Sequence, residues 1–168
     1  SFLISGKTSL EVMKFILPII TNCLPASTIQ AKNSRNNEKG GLVIDAGDEI
    51  FDEYRQNLSL KGQPGVGDRF VKWVHDNRWS FPDADRVAIT KCDESYSEFP
   101  DHDGLSAFDN SDRKFVAVAN SHPNKPPIMQ ATDSKWWGWK EALAEVGIVV
   151  HFLCKEYIQV KYAEKMGS

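Results

Sequence analysis

The chain has no apolar run of 18 or more residues, so no segment reads as a helix that crosses a membrane. It has no internal repeat, which removes solenoid and propeller architectures. Positive charge is not in excess: 20 Lys and Arg stand against 23 Asp and Glu, for a net charge of −3. That sign argues against a non-specific nucleic-acid coat or a polybasic membrane anchor, though not against a local site acting on RNA. Gly-x-Ser-x-Gly, P-loop and dinucleotide fingerprints are absent, so hydrolase-elbow, NTPase and Rossmann readings gain no support. Only three cysteines occur in 168 residues.

What is present fits one globular domain, with 41% hydrophobic and 26% charged residues. From Met13 the chain carries one lysine, a short apolar run interrupted by Pro18 and Pro25, and small residues suited to cleavage after Ala31 or near Ala26. This reads as a secretory signal peptide within residues 1–31, with residues 1–12 of other origin. Residues 32–44 are polar and read as a flexible start, with a short strand at Leu42–Ile44, and residues 45–168 form the domain. Removal of Cys23 with the signal leaves Cys92 and Cys154 for one disulfide, worth about 4 kcal/mol in the chain-entropy model. Two buried free thiols are the alternative.

Asp45 or Asp48 caps a helix through Ile50, Phe51, Tyr54 and Leu58, and Gly62 with Pro64 stops it. Arg69–His75, Arg86–Cys92, Lys114–Val118 and Ile128–Ala131 read as strands. Asp133 or Ser134 then opens a helix that runs to about Glu145 and ends at Gly147, with Trp136, Trp139, Leu143 and Val146 on one face. Trp137 falls off that face and is free for a partner surface or a rim position. Gly147–Cys154 reads as a buried strand, and Tyr157–Tyr162 as another strand or as helix. The fold class expected is α+β, an antiparallel sheet packed on an N-terminal helix, with a C-terminal helix and strand extension.

One stretch draws attention as chemistry: Tyr96-Ser97-Glu98-Phe99-Pro100. A carboxylate between rings is desolvated in its charged form, which raises its pKa and suits it to proton transfer. The plain alternative is a strand-edge carboxylate facing water. His75 precedes this stretch and Asp112-Arg113 follows it. That order resembles the fungal guanyl-specific ribonucleases, and is similar to the ribonuclease-like secreted effectors of plant-pathogenic fungi. The likeness spans roughly residues 45–132.

The resemblance implies Glu98 as the base that takes the 2′-hydroxyl proton, Arg113 on the phosphate and His75 as the assisting histidine. Tyr96, Trp73 and Gln130 would stand along the RNA. Gln130 occupies the place of the family's acid histidine, which leaves His122, displaced into a Pro-rich turn, as the substitute. The expected function is therefore a secreted effector that binds host RNA or a host protein, with catalysis weakened or lost. An active guanyl-preferring endoribonuclease and an unrelated secreted interaction domain are the two alternatives. A monomer with no cofactor is expected, secreted and free of the membrane, with action inside a host cell left open. No metal is expected either: Asp101-His102-Asp103 and His151-x-x-Cys154 lack a complete ligand set.

Overall fold

A computed structural model of the chain describes residues 1–5, 41–57 and 66–167. Five strands form one mixed sheet in the order β3-β2-β1-β6-β7. These are β1 (Phe2–Ser5), β2 (Gly41–Asp45), β3 (Arg86–Val87), β6 (Ile128–Gln130) and β7 (Val150–Phe152). A separate hairpin pairs β4 (Lys91–Cys92) with β5 (Ser95–Tyr96). The helices are α1 (Glu49–Asn57), α2 (Val66–Asn77), α3 (Arg113–Ser121), α4 (Trp136–Glu145) and α5 (Lys155–Met166).

β1 is antiparallel to both β2 and β6, whereas β2 with β3 and β6 with β7 are parallel. The α+β class holds, but the expected antiparallel sheet is replaced by a mixed one. The reason lies in the connections. A parallel neighbour needs a crossover, and β6–α4–β7 supplies one, as α1 and α2 do between β2 and β3. Leu42, Val43 and Ile44 are all buried. Successive strand residues point to opposite faces, so both faces of β2 are covered.

α1 forms because Asp45 caps it from the end of β2, its carboxylate accepting the Glu49 and Ile50 N–H groups, each at 2.8 Å. Ile50, Phe51 and Tyr54 then face the core. Two expected strands are helices instead. Arg69–His75 belongs to α2, where Val71 and Val74 are buried and Phe70 and Trp73 pack beside them at helical spacing. Lys114–Val118 belongs to α3, whose residues Lys114 to Ala119 are all buried. A helix covered on every side is apolar all round, and a short run of that kind resembles a buried strand. Tyr157–Tyr162 lies in α5, the helical reading of that run. Arg86–Cys92 is not one strand; only its ends pair, in β3 and β4. The expectations for the start of α1, for β6 and for α4 agree with the structure, the expected end of α1 at Leu58 to Pro64 lies outside the described residues, and Gly147 adopts φ 78° just after α4.

Phe2–Ser5 is the central strand and Leu3 is fully buried. Cleavage after Ala31 would take this strand away. Residues 13–31, which carry the signal-like pattern, lie outside the described residues. The Cys92–Cys154 bond is not formed: Cys92 is an exposed free thiol on the hairpin. Cys154 is buried ahead of α5 and is disulfide-bonded, its partner lying outside the described residues. No described helix is long and apolar enough to cross a membrane.

Candidate functional site at the carboxyl edge

The residues singled out around Glu98 serve four separate local purposes. Glu98 accepts the Thr90 N–H at 2.8 Å, and its own carbonyl accepts the Asn120 side-chain N–H at 2.9 Å. It ties the β4–β5 hairpin to α3 and is not wedged between rings. Arg113 lies 4.8 Å from the Phe99 ring centroid and donates to the carbonyls of Phe108 and Ser106. Its guanidinium clamps a loop. His75 is exposed on α2, with Nδ1 2.9 Å from the Asp76 carboxylate. Trp73, on the same helix, packs on Phe81. Neither meets Glu98.

His122 is no displaced acid in an open turn. It is 3% exposed, its Nδ1 accepts the Asn124 N–H at 3.1 Å, and Nε2 stands 3.8 Å from Asp85 without a hydrogen bond. Tyr96 is buried and donates to Glu49 at 3.0 Å, and burial followed by that carboxylate drives its phenol pKa upward. Gln130 is buried too. Of the expected set, Gln130 bonds Ser1 beside the acids described next, and Arg113 directly follows one of them, Asp112.

That group follows from the topology. β2, β3, β6 and β7 run in one direction, so their carboxyl ends share an edge of the sheet with the amino end of β1. Connections from β2 and β6 leave in opposite directions, β2 towards β3 and β6 towards β7. In open parallel sheets such a divergence marks the ligand site; here the antiparallel β1 lies between the two strands. Ser1 sits there. Its carbonyl accepts the Tyr54 hydroxyl at 2.9 Å and its hydroxyl oxygen accepts from Gln130 at 3.0 Å. Asp112 and Asp133 lie close enough there to interact electrostatically.

Each acid comes from a different element. Asp112 precedes α3 and accepts the Trp136 indole N–H at 2.9 Å. Asp133 lies between β6 and α4, and Glu53 is on α1, held by Lys114 at 3.0 Å. Burial pushes the Asp112 carboxyl above the usual range; Asp133 and Asp109 push the same way, and the Trp136 bond opposes them. Lys135 holds Asp109 at 2.9 Å and keeps that carboxyl below its ordinary value. All three acids remain half-open to solvent. A carboxyl whose proton affinity is raised beside another carboxyl is an arrangement that general acid–base chemistry uses. Among the described residues no group of three or more His, Cys, Asp or Glu side chains is gathered to hold a metal ion.

The one signal in the sequence for this site was Asp133, which reads equally as a helix cap; Asp112 was read as preceding a strand, not a helix. No family model, curated protein or solved structure matches the chain.

Proposed function

We propose that the protein is an endoribonuclease whose chemistry takes place at the carboxyl edge of the sheet, not at Glu98. The observation that carries this is Asp112, bonded to the Trp136 indole at 2.9 Å and close enough to Asp133 for the two carboxyls to interact, at the edge where Gln130 holds Ser1. RNA as the substrate comes from the sequence resemblance to the guanyl-specific ribonucleases alone, since His75, Glu98 and Arg113, which carry that resemblance, have separate local partners. The roles of the residues are reassigned. Asp133 or Glu53 as carboxylate takes the proton of the ribose 2′-hydroxyl, whose oxygen attacks phosphorus. The bond to the 5′ oxygen breaks as Asp112 gives that oxygen its proton, leaving a 2′,3′-cyclic phosphate and a 5′-hydroxyl. Lys114 and Lys135 supply positive charge against the phosphate.

An exposed aromatic supports RNA as the ligand. Trp79 is 64% exposed, with the Arg78 and Arg86 guanidinium carbons 4.6 and 5.3 Å from its ring centroid. Bases stack on such a face with little regard to sequence.

The test is incubation of a fluorescent, unstructured RNA oligonucleotide with the protein, with and without Mg²⁺. Cleavage without added metal, giving cyclic phosphate ends and lost in Asp133→Asn, is the expected result. Cleavage that requires Mg²⁺ and leaves 3′-hydroxyl ends would contradict direct proton transfer, and would recast the same carboxylates as cation holders. No cleavage in either arm by a folded chain would end the enzyme reading.

A further inference from the structure

The opposite flank of the sheet carries a second surface, independent of the acidic edge. Among the described residues β7 is the last strand of the sheet, and its pairing with β6 is parallel. The Ile128 N–H donates to the Val149 carbonyl and the Leu153 N–H to the Gln130 carbonyl, each at 2.9 Å. In a parallel ladder alternate residues pair with one neighbour. Residues 149, 151 and 153 therefore face β6, and the main-chain groups of Val150 and Phe152 point to the outer edge. An edge of this kind is a template for another strand.

Beside it runs an open groove of about 460 Å³ between α4 and β7. Its floor is apolar, with Trp137 packed on Phe152 at 5.0 Å between centroids and Val149 51% exposed. Its charged members are Lys140 and Lys155, and no Asp or Glu lines it among the described residues. Lys140 lies 4.8 Å from the Trp137 ring centroid and also bonds Glu141 at 2.9 Å. This local positive sign stands out in a chain of net charge −3.

We infer that this edge binds an extended acidic peptide segment of a partner protein by strand addition to β7. Main-chain bonds to Val150 and Phe152 would provide the register. Alternate apolar side chains would enter the groove over Trp137, and acidic ones would meet Lys140 and Lys155. A second copy of the chain fits less well, because edge-to-edge pairing of two β7 strands sets lysines against lysines. An RNA strand would satisfy the lysines but offers no N–H and C=O groups at strand spacing.

The test uses a fluorescein-labelled peptide of three Glu-Val repeats and fluorescence anisotropy. Saturable binding is expected, weakened about tenfold or more by Lys140→Glu with Lys155→Glu. Both sites are on the surface, and circular dichroism checks that the variant is folded. A peptide N-methylated at its central valine should lose binding by a similar factor, which tests the main-chain pairing without altering the protein. Hydrogen exchange at the Val150 and Phe152 amides should slow on binding. Absence of binding, equal binding of the methylated peptide, or equal binding of a Lys-Val repeat would each overturn the proposal. So would a dimer of the chain, seen by sedimentation, that the peptide disrupts.

Discussion

Two carboxylates, Glu98 and Asp112, stand on either side of the same stretch of chain and have opposite surroundings. Glu98 closes a hairpin by accepting one main-chain N–H at the surface. Asp112 faces other acids, is partly withdrawn from water and has its proton affinity raised. A motif can place a carboxylate between aromatic residues in sequence while the fold uses it to hold a main-chain N–H. A carboxylate read in sequence only as the neighbour of an arginine can be brought beside another carboxyl by topology. The second condition is costly to the folded state and is the one associated with function.

The sharpest way to break this contrast is Asp112→Asn, which removes the proton donor. RNA cleavage should fall by about 10²–10⁴-fold in a rate assay, the usual loss for a positioned acid. Next in size is the disulfide at Cys154, on neither side of the contrast. Reduction should cost about 2–5 kcal/mol in denaturant unfolding. Thiol titration of the native, unreduced protein should find Cys92, and Cys92→Ser should leave stability unchanged.

Gly138→Ala should cost about 1–3 kcal/mol, because a Cβ there would meet the Tyr162 hydroxyl at 2.6 Å where α5 crosses α4. Thermal unfolding reads that loss, and cleavage by the folded fraction should not change. Glu98→Gln is the smaller partner of the comparison, costing about 0.5–1.5 kcal/mol for one weakened hydrogen bond. Its cleavage rate should stay at the wild-type level.

The pH dependence has a definite sign. Asp112 binds its proton more tightly folded than unfolded, so stability falls as pH rises from the ordinary value of 3.8 through the higher folded value. Asp112→Asn should remove that part of the slope and be the more stable chain at neutral pH. Urea titrations across that window measure it.

Parts of this architecture were legible in the residues. Asp45 ahead of Ile50, Phe51 and Tyr54 announced α1, and the Trp136–Leu143 face with Gly147 behind it announced α4. Val71 and Val74 carried the helical period too, but β-branched and aromatic residues between them imitate a strand. α3 was harder, because a helix buried on all sides has no polar face to reveal its period. The acidic group was not legible. Glu53, Asp112 and Asp133 are far apart in sequence, and only the parallel direction of β2 and β6 brings their elements to one edge. The disulfide misread had the same origin: counting cysteines says nothing of the hairpin that holds Cys92 away from Cys154.

The most direct test sets Asp112→Asn and Glu98→Gln side by side in one RNA cleavage assay, with folding of both checked by circular dichroism. The carboxyl-edge site predicts cleavage lost in the first variant and kept in the second. Cleavage kept by Asp112→Asn and lost by Glu98→Gln would return the chemistry to the hairpin.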